Sequence, residues 1–228
     1  MATTQPQPTK YQYSKPSLKG KMVLNTEQAK FFAGNRFDSL MTALFIIDVT
    51  SRKLAKNLKT FDHKAVVDAV SKKIERMEVA VRDESERMDT LLKSLGIKEL
   101  AGYSSPLTRE FEITSPEIKR MSSLLQAFDH LIIQVDTAWL HEKIDSSEAE
   151  EFRANKSNQM ARLIRSLVGL GQSARAKAYA SKVAELQEDI EKAEAKVSAE
   201  KEEREAAGHI EPEGNVDALD SLPEEAVA

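Results

Sequence analysis

Few residues in this chain of 228 have types and spacings that could carry chemistry. There are four histidines, His63, His130, His141 and His209, and no cysteine. A helical metal pair needs ligands one turn apart, which His130 and His141 do not provide, and thiolate sites and disulfides are excluded outright. Gly169-Leu170-Gly171-Gln172-Ser173-Ala174 fits a GxGxxA pattern. That pattern grips a dinucleotide only between a strand and a helix, and here a helical pattern precedes it, so it reads as a helix break. Asp129-His130 and His141-Glu142 are adjacent dyads whose side chains diverge on a helix, so neither forms an acid/base couple. Arg109, Glu110 and Glu112 lie on a strand pattern with no nucleophile beside them. No catalytic residue, metal ligand or cofactor site is assigned, and the chain reads as a non-enzyme.

The spacing that does suggest a task is in "LKGKMVLN", Leu18 to Asn25. Residues alternate with period two, placing Leu18, Gly20, Met22 and Leu24 on one face and Lys19, Lys21, Val23 and Asn25 on the other. Lysine can donate to guanine O6 and N7, and valine can touch a thymine methyl group. Lys19, Lys21 and Val23 are therefore candidate base-contacting residues of a ribbon in the DNA major groove. The bland alternative is an edge strand whose lysines block aggregation.

Such a strand needs a partner, because an isolated ribbon is not stable. The elements after it suggest which. Thr26 to Ala33 reads as a short helix capped by Thr26 or Asn25, and Gly34 as its left-handed stop. A second helix then starts at Asn35 with Asp38 near its N-terminal dipole, and carries Leu40, Met41, Leu44, Phe45, Ile46 and Ile47 nearly all round. Strand, helix, turn and helix make the ribbon-helix-helix order. Two copies would pair their strands, and four helices would bury Met22, Leu24, Phe31, Phe32, Leu40, Leu44 and Ile47 beneath. Backbone N–H groups at the start of the second helix could hold a phosphate. Asn25, Asn35, Arg36 and Ser39 are the candidate phosphate contacts.

Further on, Asp62 starts a long helix with a 3-4 seam of Val67, Val70, Ile74, Met77, Val81, Met88, Leu91 and Leu95, stopped by Gly96. "LTREFEIT" is a second short strand with Leu107, Arg109, Phe111 and Ile113 on one face. Ser115-Pro116-Glu117 opens a helix along Ile118, Met121, Leu125, Phe128, Ile132, Val135 and Trp139, expected antiparallel to the previous one. Ser147 to Glu150 is read as a capping box. The last helix has a thin apolar face of Val183, Leu186, Ile190 and Val197.

Charge is asymmetric. Residues 1–59 carry about +7 and residues 184–228 about −11, a basic head and an acidic end. The segment "MATTQPQPTK" has no apolar core of a secretory signal, and "LMTALFII" is too short for a membrane span. The expected organisation is a disordered arm at 1–17, a ribbon-helix-helix unit at 18–58, a helical, coiled-coil-like extension with one extra strand at 59–172, a charged helix at 173–207 and a disordered acidic tail at 208–228. The fold class is mainly α, and the expected location is the bacterial cytoplasm, at the nucleoid.

The order of "LKGKMVLNTEQAKFFAGN", "LTREFEITSPEIKRMSSLLQAFDHLIIQVDTAW" and "SSEAEEFRANKSNQMARLIRSL" resembles the AcaB-like family of transcriptional regulators from conjugative plasmids and integrating conjugative elements. The resemblance covers roughly residues 18–172. It implies a homodimeric ribbon-helix-helix activator of conjugative-transfer genes that binds double-stranded promoter DNA, with Lys19, Lys21 and Val23 reading bases. It also implies that the extension stiffens the dimer or touches RNA polymerase. The alternative is a coiled-coil scaffold or adaptor of a conjugation, partition or phage assembly. Neither reading involves a membrane.

Overall fold

The structure, a computed structural model, describes residues 16–57, 62–181 and 184–206, with the side chains of Asn35, Asn57, Ala184 and Glu185 excluded. The expected disordered arm and acidic tail therefore fall outside the described residues, apart from Pro16 and Ser17. Two strands and six helices make up the described chain: β1 (Leu18–Leu24), α1 (Glu27–Phe31), α2 (Phe37–Asn57), α3 (His63–Ser94), β2 (Leu107–Ile113), α4 (Pro116–Leu140), α5 (Ser146–Ala180) and α6 (Ala184–Ala206). The class is mainly α, as the sequence suggested.

β1 finds a partner inside its own chain. It pairs antiparallel with β2, setting Lys19 opposite Glu112, Lys21 opposite Glu110 and Val23 opposite Thr108. This corrects the expectation that a second copy supplies the first pairing partner. Two short amphipathic strands with matching alternation close a sheet more readily within one chain, where no association entropy opposes them. The inward side pairs Gly20 with Phe111, and the ring of Phe111 lies where a Cβ on residue 20 would stand, 2.6 Å from that position. Glycine is required there by the close approach of the aromatic ring.

The turn expected at Gly34-Asn35 is absent. Phe32–Arg36 is a π-helical turn joining α1 directly to α2, and Gly34 is helical. The physical reason lies in the flanks: Phe31, Phe32, Ala33 and Phe37 are all buried, and a wide π turn keeps them facing the body without a loop. Thr26 is the N-cap, its hydroxyl accepting from Ala29 N–H at 3.3 Å. Asp38 does not serve a helix start. It is bound by the guanidinium groups of Arg109 on β2 and Arg204 on α6.

α3 begins at its Asp62 cap, and Val70, Ile74, Met77 and Val81 are buried as the seam predicts. It ends at Gly96, where φ is +72° and the Ile97 N–H reaches the Leu92 carbonyl at 3.0 Å. α4 lies parallel to α3, not antiparallel. Arg120 binds Ser71 and Glu78, whereas Gln134, fourteen residues on, binds Ser85. The chain returns between them through the extended segment that contains β2. About 20 extended residues reach roughly 60 Å, longer than a 25-residue helix.

α4 and α5 form the antiparallel hairpin. The capping box at the start of α5 is Asp145 and Glu148, two residues before the predicted one, each bonding the other's backbone N–H at 2.8 and 3.1 Å. A carboxylate is the stronger acceptor, so Asp145 takes the cap that Ser147 was expected to hold. α5 runs unbroken through Gly169 and Gly171. Gly171 is no helix break: a Cβ there would sit 2.5 Å from the Ala43 Cβ, so it lets α5 approach α2.

Met22, Leu24, Phe31, Phe32, Leu40, Leu44 and Ile47 are all buried, in one cluster with residues of α3, α4 and α5. The core is completed within one chain, where the sequence reading placed half of it in a partner. Each fully buried leucine or isoleucine contributes about 1.5–3 kcal/mol.

α6 also departs from expectation. It is separated from α5 after Ala180 and folds back along α2, with Leu186 and Ile190 fully buried against Ile46, Val49, Leu54 and Ala178. Pairs between Lys53 and Asp189 and between Arg175 and Glu194 fasten it. Leu186 and Ile190 of the predicted stripe are thus an interface, Val197 is half-buried, and Val183 lies outside the described residues.

Candidate nucleic-acid interface

Alternation along β1 creates the candidate site. Met22 and Leu24 sink into the core, while Lys19, Lys21 and Val23 stay exposed on the outer face, Val23 at 43%. The backbone is held from behind by Asp129 of α4. Its buried carboxylate accepts the Asn25 and Thr26 backbone N–H groups, the Asn25 amide and the Thr26 hydroxyl at 2.8–3.1 Å. A carboxylate here satisfies the first donors of α1 and favours its positive end. The same bonds fix where β1 ends, and so the phase that sends Lys19, Lys21 and Val23 outward.

On the outer face the lysines have acidic neighbours. Glu110 and Glu112 face outward from β2, directly across from Lys21 and Lys19. Glu112 also takes the Lys196 ammonium of α6 at 2.6 Å. Opposite charges across strands stabilise a sheet by a few tenths to 1 kcal/mol. Sequence reasoning identified both carboxylates as outward residues but did not join the two strands. The signal was present, since two lone strands of equal length and phase are mutual partners.

The candidate phosphate contacts fare unevenly. The side chain of Asn25 is committed to Asp129. Asn35 lies inside the π-helical turn, so the helix N-terminus invoked there does not exist, and its backbone N–H groups are not a free anion site. Arg36, the last residue of the π-helical turn, is half-buried, and Ser39 is exposed on the first turn of α2. The structure therefore keeps Lys19, Lys21 and Val23 together on one face and separates Asn25 from them.

The side chains considered for catalysis are placed as follows. Asp129 points into the body while His130 is exposed, and His141 is exposed at the end of α4. His63 Nδ1 lies 2.8 Å from Ser51 Oγ, but Ser51 is 2% exposed and its hydroxyl also reaches the Asp48 carbonyl at 3.2 Å. That serine is a buried tie between α2 and α3, closed to a substrate. His209 lies outside the described residues. Among the described residues, no three metal-ligating side chains converge, and no helix is long and apolar enough to cross a membrane.

Comparison with known proteins gives one finding on the fold. The chain is similar to the crystal structure of AcaB from uropathogenic E. coli, with a TM-score of 0.69 and 24% sequence identity, over 76% of this chain and 89% of that one. No protein-family model matches the chain, and no curated protein matches it. The likeness establishes an AcaB-like fold.

Proposed function

We propose that this chain is a sequence-specific DNA-binding regulator, working as a homodimer and activating genes of conjugative transfer. The observation that carries the reading is the outer face of β1. Two lysines and a valine stand exposed there, backed by fully buried residues, on a strand whose edge away from β2 bonds no other strand among the described residues. Pairing that edge with the same edge of a second copy gives the order β2–β1–β1–β2. The two β1 strands then lie at the centre as a ribbon of the width that the major groove admits. Lys19, Lys21 and Val23 read base edges, and Arg36 and Ser39 hold backbone phosphates. Homodimerisation here aligns two half-sites, while the core of each copy is already complete. β2 and the helices around it form the extension that stiffens the dimer or touches RNA polymerase.

The AcaB-like fold supports this reading, as does the basic balance of residues 1–59, about +7. The test is chromatin immunoprecipitation from a host that carries the element. The reading expects a few sharp peaks upstream of transfer genes, and diffuse or absent enrichment would remove it.

A second reading, a scaffold or adaptor without sequence-specific contacts, is favoured by one observation. Glu110 and Glu112 lower the positive potential beside the two lysines. Under that reading the charges of the outer face are a solvated cross-strand pattern, and dimerisation through β1 serves assembly alone.

A further inference from the structure

One side of β1 is paired with β2 from Leu18 to Leu24, and no strand among the described residues bonds the other side. Leu18 has the inward phase of Met22 and Leu24, yet it is 69% exposed, against 1% and 0% for those two. The body of its own chain does not reach it. A second copy on the free edge supplies the missing cover, and the residues of the strand limit the register in which it can lie.

Residues directly opposite in an antiparallel pair share a face, so only slips of two residues keep Met22 and Leu24 inward on both strands. Full overlap of Leu18–Leu24 sets Lys21 opposite Lys21 of the second copy, and Leu18 opposite its Leu24. A slip that centres Met22 places Lys19 and Leu18 against Asn25 and Thr26. Both of their backbone N–H groups are taken by the Asp129 carboxylate at 2.8–3.1 Å, so the ladder shrinks to Gly20–Leu24. A slip that centres Gly20 places Pro16, which has no N–H, against Leu24, and sets Lys19 against Lys21 twice over. We infer that the second copy pairs along the free edge of β1 with Lys21 on the two-fold axis, so that two ammonium groups meet at the centre of the ribbon. The inference rests on the dimeric reading above and adds its register. Across the four strands the middle row then reads Glu110, Lys21, Lys21, Glu110. Like charges directly opposite disfavour a strand pair, and a polyanion lying on the outer face relieves them. Since each chain already holds a complete core, the ribbon is the part of the dimer that DNA strengthens.

The chain has no cysteine, so single introduced thiols report the register directly. Lys19→Cys, Lys21→Cys and Val23→Cys are made in the full chain and treated with dibromobimane, which fluoresces on bridging two neighbouring thiols. Lys21→Cys should bridge to itself at least tenfold faster than either of the others, whose thiols are set apart by four residues of strand, about 13 Å. An equimolar mixture of Lys19→Cys and Val23→Cys should bridge at least tenfold faster than each alone, because these positions face each other. The mixture tests the register without a change at Lys21. In sedimentation at low salt without DNA, Lys21→Gln should dimerise about threefold more tightly than wild type, and the gap should close at high salt. Equal rates for Lys21→Cys and Val23→Cys, or for Lys21→Cys and Lys19→Cys, would overturn the register and leave the dimer standing. All three reacting no faster than Val79→Cys, exposed on α3, would remove the second copy from β1 altogether. Wild type dimerising as tightly as Lys21→Gln at low salt would overturn the meeting of like charges at the axis.

Discussion

Asp129 and Thr26, 103 residues apart in sequence, are joined by two bonds of 2.8 Å, from the Thr26 backbone N–H and hydroxyl to the same carboxylate oxygen. This contact locks the end of β1 and the start of α1 to the middle of α4. A single buried side chain thus fixes where the strand ends. Asp129→Ala strands buried donors at Asn25 and Thr26, each costing about 1–3 kcal/mol. A loss of about 3 kcal/mol or more in urea unfolding is expected, with smaller loss for Asp129→Asn, which keeps one acceptor oxygen. Equal stability of Asp129→Ala and wild type would show the contact to be idle.

Gly171 meets Ala43 where α5 crosses α2. The backbone Cα of Ala43 would lie only 2.7 Å from a new Cβ, so the helices must separate. Gly171→Ala should destabilise by about 1–3 kcal/mol despite its better helix propensity. Gly169→Ala, which meets nothing within 4 Å, should be neutral or stabilising by up to about 1 kcal/mol. Thermal melts of the two variants side by side separate packing from propensity.

Glu142 closes α4 with φ of 56°, a left-handed conformation that strains a residue with a side chain. Glu142→Gly should raise stability by about 0.5–1 kcal/mol. A lower midpoint in denaturant would mean that the Glu142 side chain supplies more than its backbone strain costs.

Burial pushes the Asp48 carboxyl above its ordinary value of 3.8, against the lowering influence of Arg52. The folded chain therefore holds this proton more tightly than the unfolded one. The stability so contributed is present below the unfolded value and is lost as pH rises through the folded one. Asp48→Asn should accordingly melt higher than wild type near pH 7. Its advantage should shrink as pH falls toward the ordinary carboxylate range. A constant difference across that range would assign the effect to packing.

Much of this architecture was legible in the sequence, where local chemistry decides. Thr26, Asp62 and Ser115 cap the helices they were expected to cap, and Gly96 ends α3, because each bonds backbone within a few residues. Most core positions on β1, α2 and α4 follow from period and hydrophobicity, but Leu18 and Trp139, expected on the apolar faces, are exposed because each lies at an element's end, beyond the body that covers the rest. What failed was long-range. Gly34 and Gly171 look like helix breakers locally, but one sits in a π turn held by buried phenylalanines and the other is a contact point for Ala43. β1 could not reveal which of two strands it would pair with first. Nor could a thin stripe on α6 reveal the seat formed by Ile46, Val49 and Leu54.

On the candidate interface, sequence alone placed Lys19, Lys21 and Val23 together and outward. It missed Glu110 and Glu112 as their neighbours, because that relation exists only once the two strands are paired. Glu110→Gln removes a negative charge beside Lys21. If the face meets DNA, this variant should bind all sequences more tightly, by a factor that falls as salt is raised. An unchanged affinity would place the face away from the phosphates.

The central claim is that the outer face of β1 reads bases. The most direct measurement is a gel shift of wild type, Lys21→Ala and Arg36→Ala on a transfer-gene promoter and on its scrambled sequence, at two salt concentrations. The account predicts that Lys21→Ala loses about 1–3 kcal/mol on the promoter alone, narrowing its preference over scrambled DNA. Arg36→Ala should weaken both DNAs alike and lower the salt slope by about one unit. Wild-type protein binding promoter and scrambled DNA equally, with neither substitution changing their ratio, would contradict base reading and leave the scaffold account standing.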